Sequence, residues 1–449
     1  MLSNQHEKKV VTRFPPSPTG FLHIGRVRTL LFNYFFTKQN NGKMIFRLED
    51  TDKTRSKKEY ENDIIENLRW LGVEYDEGPF RQSERTDIYK KYLKQLIHDK
   101  HAYISKEEEL ESETKRAEVI RFKNPNKKIT FNDAVRGEIS FDTSDLGDFV
   151  IAKSSDEPLY HLAVVVDDFE MGITHVIRGD DGISNTPRQI LIQEAIGAPM
   201  PTYAHIPLIL SEDRAKLSGR HGAVSLTEYR NAGYLPEAVI NYLALLGWNP
   251  GTDQEIMTLD EIIAQFSLSK VQKAGAIFDE DKLLWFNKEH MRRLPNIQNR
   301  IINEIARVLP EINPRIAEAM SETVLDKICI FGDINKMNEN GEFEYFISDP
   351  ALEKNKIAWK NDAPEIARKN LKESREILSR VDETNFNASA IKDSLWQYAE
   401  KAGKGSVLWP VRYALSGKEK SPDPFVLAGI LGKKTCLERI DSAIKILTH

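Results

Sequence analysis

Lys9–Gly25, KVVTRFPPSPTGFLHIG, decides the fold. Lys9–Phe14 is a short run rich in β-branched residues, the composition of a strand. Pro15, Pro16, Pro18 and Gly20 then forbid a regular element and stiffen the chain. From Val27 the apolar residues recur as Val27, Leu30, Leu31, Tyr34 and Phe35, the spacing of one helix face, and Asn41-Gly42 closes that helix. Met44–Leu48 (MIFRL) is apolar except for Arg47, as a buried parallel strand would be. Tyr60, Ile64, Leu68 and Leu71 mark a second amphipathic helix, stopped by Gly72. This order of elements implies a parallel sheet with right-handed crossovers.

Further out, the chain has 449 residues, room for about three domains. Hydrophobic residues at 40% and charged residues at 29% exclude a largely disordered chain. No apolar run approaches the roughly 20 residues that cross a bilayer, so no membrane partner is expected. The opening MLSNQHEKKVV holds no apolar segment of a secretory signal. The two cysteines, Cys329 and Cys436, cannot build a disulfide framework or a four-cysteine zinc site, and they point to a reducing, cytoplasmic setting. The net charge of −5 argues against a nucleic-acid partner, but residues 401–449 carry nine Lys/Arg against four Asp/Glu. That local excess reads equally as a solvated helical surface or as one that meets phosphates.

Residues 96–150, with the acidic run Lys106–Glu113, read as an insertion. Beyond it, strands are expected at Ala163–Val166 and Thr174–Ile177, a helix at Pro187–Ile196 and a strand at His205–Leu210. After about Ser225 the periodicity is helical, and composition shifts again near Pro295. The expected divisions are 8–95 and 151–225 for two halves of one Rossmann-type domain, 96–150 for its insert, and 226–300 and 301–449 for two helical regions.

Two motifs carry chemistry. Ser17–Gly25 leads into the first helix, where free N–H groups and the positive dipole end suit a phosphate. Gly25 lets a nucleotide approach the backbone, and His23 can donate to a phosphate oxygen. Lys216–Gly222 (KLSGRHG) follows the last strand and sets two cations on a glycine-containing loop, a fit to triphosphate charge. Alone, each reads as a glycine turn or an inert polar loop. Together, about 190 residues apart at the two ends of one split α/β domain, they resemble the class I aminoacyl-tRNA synthetases. Arg13–Gly20 (RFPPSPTG), Arg47–Asp52 (RLEDTD), Arg81–Arg85 (RQSER), Tyr160–Ala163 (YHLA), Val165–Asp168 (VVDD), Val176–Asp181 (VIRGDD), Ser184–Arg188 (SNTPR) and Leu408–Gly417 (LWPVRYALSG) are similar to the glutamyl-tRNA synthetase pattern. The matches run in order over nearly the whole chain.

The resemblance implies a class I catalytic domain with an inserted acceptor-binding domain and a helical anticodon-binding region. It implies an ATP-dependent ligase acting with Mg²⁺ on L-glutamate and tRNA(Glu); the alternative is a non-discriminating or specialised enzyme that places glutamate on tRNA(Gln). His23, Gly25, Lys216, Ser218 and Arg220 would serve catalysis. Pro16, Ser17, Arg26 and Gly219 would join them around ATP. Arg13, Ser17, Glu49, Tyr160 and Arg178 would hold glutamate, with Glu49 on the ammonium and Arg178, with Arg13, on the side-chain carboxylate. For both arginines the plainer reading is an ion pair with Glu49 or Asp180. Asp50 and Asp52 are expected to order the loop after their strand. Trp409 and Tyr413 read either as platforms for anticodon bases or as core.

Three positions depart from the family pattern: Gly219 where a second lysine is usual, Val164 where an asparagine often lies beside the amino-acid pocket, and Gly182 where a bulkier residue is common. No cysteine precedes Cys329, so no zinc is expected in the insert. A catalytically damaged RNA-binding paralogue is the reading Gly219 motivates. A small nucleotidyltransferase is disfavoured by the helical extension. A monomer is expected.

Overall fold

A computed structural model describes residues 9–106, 118–217 and 225–448. The chain divides into two compact units, up to His290 and from Met291.

The first unit starts as its sequence implies. β1 (Val11–Phe14), α1 (Ile24–Gln39), β2 (Lys43–Leu48), α2 (Lys58–Leu71) and β3 (Glu77–Arg81) make a parallel sheet in the order β1-β2-β3. Gly72, at φ 66°, supplies the left-handed cap that stops α2. α3 (Thr86–His98) leads into β4 (Ala102–Lys106), β5 (Glu118–Phe122), β6 (Lys128–Asp133), β7 (Gly137–Asp142), β8 (Phe149–Ser154) and β9 (Glu157–Pro158). Then come α4 (Tyr160–Glu170), β10 (His175–Gly179), α5 (Thr186–Ala195), β11 (Thr202–Ile206) and β12 (Ile209–Leu210). Helices α6 (Leu226–Ala232), α7 (Pro236–Leu245) and α8 (Leu259–Gln265), the short β13 (Ala276–Ile277) and α9 (Glu280–Arg293) follow.

β10 runs parallel to β11, which meets β6 at Tyr203↔Asp133, and β6 forms a hairpin with β7. β1 lies beside β10: Thr174 N–H donates to the Val11 carbonyl at 3.0 Å. The strand order reverses at this seam, and open α/β sheets bind ligands at the carboxyl ends of such a junction. The region expected as an insertion is continuous with the sheet through β6. Its β4-β5-β8-β9 sheet shares one apolar core with α3, α4 and β11, through Phe122, Ile151, Tyr89, Leu162 and Tyr203 among others.

Ala163–Val166, expected as a strand, is the middle of α4. All four residues are at most 2% exposed. No polar face interrupts them, so the helical period is invisible and the valines imitate a strand. The expected strand His205–Leu210 is broken at Pro207 into the end of β11 and β12.

Arg47, fully buried, anchors the unit. Its guanidinium donates to Asp168 Oδ1 at 2.7 Å and to Glu49 Oε1 at 3.2 Å, and lies 3.7 Å from Asp167 Oδ2. Asp168 also pairs with Arg13 at 3.4 Å. Asp167, fully buried, accepts from Arg85 Nε at 2.7 Å, Gln82 Nε2 at 2.9 Å and Tyr89 Oη at 2.8 Å. Burial opposes the charge on Arg47, but the three carboxylates outweigh it and hold its pKa above the usual arginine range.

The second unit is helical among its described residues. Pro364–Ser379, Ala388–Ala402, Lys404–Ser416, Pro424–Leu431 and Lys433–Ile446 pack on one another. Tyr413 is 1% exposed and takes no part in a surface platform. Trp409 lies parallel to it, centroids 6.4 Å apart, and donates from Nε1 to the Lys356 carbonyl at 3.0 Å. The basic tail is also partly internal. Arg439 donates to the Tyr345, Leu415 and Ser348 carbonyls and pairs with Asp349 at 3.2 Å. Among the described residues no helix is long and apolar enough to cross a membrane.

Asp167→Ala leaves Arg47 and Arg85 short of a buried partner. The expected loss is about 3–5 kcal/mol of stability in the first unit, measured by urea unfolding of the variant beside the parent chain. A change under about 0.5 kcal/mol, the scale of an ordinary surface substitution, would deny the cluster its anchoring role.

Candidate active site

A cleft of about 510 Å³ opens at the carboxyl ends of β1 and β10. Arg13, Pro16, Ser17, His23, Gly25, Arg26, Glu49, Tyr160, Arg178 and Lys216 all line it. Ser218, Gly219 and Arg220 lie outside the described residues. Val164 is buried on α4 and is not among the cleft's lining residues.

The proline-rich turn after β1 is fixed by backbone bonds. Glu49 N–H donates to the Pro16 carbonyl at 3.0 Å, and Lys57 N–H to the Pro18 carbonyl at 3.0 Å. Arg26 reaches back to the Ser17 carbonyl at 2.8 Å. His23 is the residue before α1, and its backbone pairs with Ser225. A Cβ on Gly25 would lie 3.2 Å from the His23 ring, so the glycine lets the imidazole settle over the helix start. Burial first, then the Arg26 and Lys216 cations, hold the imidazole down at about 4, against an opposing pull from Asp181. His23 is therefore a neutral hydrogen-bonding group at neutral pH. Lys216 Nζ rests on Asp181 Oδ2 at 2.7 Å, with both side chains more than half exposed. The two motifs, distant in sequence, thus face one space.

The other wall is built around unlike charges. Glu49 has a 9% exposed side chain and a single arginine hydrogen bond, from Arg47. Burial pushes its pKa up, although Arg47 and Arg13 pull it down. Tyr160, 40% exposed, stands at the start of α4. Arg178 departs from the ion pair considered for it: among the described residues no carboxylate pairs with it. Its donors go to His205 Nε2 at 3.0 Å, Gln189 Oε1 at 2.7 Å and Thr186 Oγ1 at 2.8 Å. Gly182 makes room for this pose, since a Cβ there would come within 2.6 Å of Arg178 Nε. Asp180 is paired with Arg136 instead. Arg13 is paired with Asp168 and not Glu49. Asp50 accepts from Ser83 N–H and Oγ–H at 2.8 and 2.6 Å, and Asp52 from Arg55 Nε at 2.6 Å, so both order loops. His205 and Gln189 carried no local signal in the sequence; only the strand register, Arg178↔His205, brings the first of them to the site.

A nucleotide-sized cleft at the strand-order reversal, a glycine-led helix start and a facing lysine are features of the class I synthetase fold. The family model described as tRNA synthetases class I (E and Q), catalytic domain, matches residues 9–118 and 105–285, and the anticodon binding domain matches 289–444. A glutamate–tRNA ligase of Carboxydothermus hydrogenoformans is 40% identical, the alignment covering 96% of this chain and 99% of that one. Glutamate–tRNA ligase 1 of Petrotoga mobilis is also 40% identical, covering 96% and 97%. A solved glutamate tRNA ligase from Elizabethkingia meningosepticum, in complex with its amino acid, superposes with a TM-score of 0.85 at 34% identity, covering 98% and 99% of the two chains. The chain belongs to the glutamate–tRNA ligase family.

The ring signals of His23 should stay constant between about pH 8 and 5.5 and move only as pH falls further. NMR titration of the histidines tests this. A midpoint near the ordinary 6.5 would contradict the neutral, buried imidazole.

Proposed function

We propose that the cleft activates L-glutamate with ATP and passes it to the 3′ end of tRNA. One observation carries the assignment of the amino-acid cup: a buried acid, Glu49, whose one arginine hydrogen bond comes from Arg47, lines the same cleft as Arg178, which has no carboxylate partner among the described residues. A ligand with one ammonium and an acidic side chain answers both. Glu49 takes the ammonium. Arg178 takes the side-chain carboxylate through its two remaining N–H groups, and Tyr160 and Ser17 close the cup. Arg13, held on Asp168, contributes its charge to the same space.

ATP enters as its Mg²⁺ complex along Pro16–Arg26. In the first step a glutamate α-carboxylate oxygen attacks the α-phosphorus, and the bond to the β-phosphate breaks as pyrophosphate leaves. Neutral His23 donates to phosphate oxygen without adding charge of its own. Lys216 leaves Asp181 for the triphosphate, and the loop with Ser218, Gly219 and Arg220 completes that contact. In the second step the terminal ribose hydroxyl of tRNA attacks the acyl carbon and AMP departs. The residues act by placement and charge stabilisation. Residues 96–150 are proposed to meet the acceptor end, 226–300 the stem and 301–449 the anticodon. The chain is proposed to work as a cytoplasmic monomer.

Arg178→Ala should raise KM for glutamate about 100-fold, equivalent to roughly 3 kcal/mol, while tRNA binding stays within about twofold. Aminoacylation kinetics and filter binding read the two; equal loss of both would make Arg178 structural. Charging assays on tRNA(Glu) and tRNA(Gln) side by side should give product with tRNA(Glu). Product with tRNA(Gln) as well defines a non-discriminating enzyme, and none with either would favour an RNA-binding paralogue. Binding of tRNA should weaken steeply with salt, because phosphate contacts release counterions; a flat response would remove the proposed RNA surface.

A further inference from the structure

Arg178 is held by a chain of groups that ends on a residue of the β6-β7 hairpin. Arg178 and His205 are register partners on the parallel strands β10 and β11, so their side chains emerge on one face side by side. Arg178 Nε–H donates to His205 Nε2 at 3.0 Å. An arginine can only donate, so His205 Nε2 must be the acceptor and its ring proton must sit on Nδ1. Nδ1 lies 2.6 Å from Asp133 Oδ2 and donates to it. Both His205 and Asp133 are at most 2% exposed.

The acid is fixed in turn. Asp133 Oδ1 accepts the Val135 and Arg136 backbone N–H groups at 2.9 and 2.8 Å, and His205 N–H donates to the same carboxylate. Burial raises its pKa, but these bonds prevail and keep the carboxyl below its ordinary range. Burial likewise lowers the pKa of His205, against Asp133, so the ring is neutral. The Tyr203 ring lies parallel to the His205 ring at 6.0 Å, with the Arg178 guanidinium 5.6 Å from its centre.

This arrangement separates orientation from neutralisation. A carboxylate directly on Arg178 would aim it and also cancel the charge a substrate must find. A neutral imidazole between the two aims the guanidinium while keeping the acid one ring away. Thr186 and Gln189 supply further neutral acceptors, leaving two N–H groups for a ligand.

We propose that Asp133 and His205 are positioning residues for glutamate recognition: Asp133 fixes the Nδ1–H tautomer of His205, and His205 aims Arg178 at the side-chain carboxylate. The proposal rests on the reading that Arg178 binds that carboxylate. Asp133→Asn is the main test, because it keeps shape and Oδ1. Its amide can donate where Oδ2 accepted, which moves the ring proton to Nε2, facing Arg178 Nε–H. The full-length variant should show a ¹⁵N imidazole spectrum with the tautomer reversed. KM for glutamate should rise at least tenfold and preference for glutamate over glutamine should narrow, while KM for ATP holds and the variant still unfolds in one cooperative transition. A reversed tautomer with an unchanged glutamate KM would overturn the proposal. So would a retained Nδ1–H tautomer, or equal rises in the KM of glutamate and ATP. If Asp133→Asn does not fold, His205→Phe, which keeps a ring without an acceptor, is judged by the same two KM values. Arg178→Ala runs in parallel. If it leaves glutamate KM unchanged, the underlying reading fails; if it raises KM while the Asp133 and His205 variants do not, only the positioning role fails.

Discussion

A full positive charge in the interior of a sheet survives only if it is neutralised where it stands. Arg47 sets that condition here. Its three carboxylates come from Glu49, just past the end of its own strand, and from α4, more than a hundred residues later, across the whole β4–β9 region. Asp168 then carries the constraint to Arg13 on β1, and Asp167 carries it to Gln82, Arg85 and Tyr89. Three guanidinium groups and three carboxylates tie the two halves of the catalytic sheet together. Glu49 and Arg13, which line the cleft, hang from this cluster. This wall of the cleft therefore rests on an ionic lattice lying behind it.

Much of this was legible in the sequence, for reasons that differ by residue. The first β-α-β unit announces itself by period and punctuation: Val27 to Phe35 on one helix face, and a left-handed glycine at position 72. The H-x-G and K-L-S motifs gave the cleft because each sits where the chain leaves a strand. Other quoted motifs turn out to be framework. VVDD, RQSER and the arginine of RLEDTD supply members of the buried lattice, and none of these residues is among those that line the cleft.

What escaped reading was non-local. Ala163–Val166 carried no polar residue to show its period, so a helix buried all round looked like a strand. Asp133 lies in an unremarkable KITFND strand, and His205 in one that reads as apolar core. Only strand order makes them neighbours. The surplus of basic residues near the end was visible, but its use was not: Arg439 serves three carbonyls and an aspartate. Tyr413 looked as fit for stacking as for packing until its surroundings were known.

The hairpin that bears Asp133 has a consequence for how this chain can change. It lies in the region that reads from the sequence as an insertion, yet it supplies the carboxylate that His205 donates to behind Arg178. Shortening or exchanging it would remove that acceptor even if every residue touching the amino acid stayed in place. The hairpin and the orientation of Arg178 are thus inherited together, and a graft that kept the cleft lining but replaced the hairpin would leave His205 without the carboxylate that holds its ring.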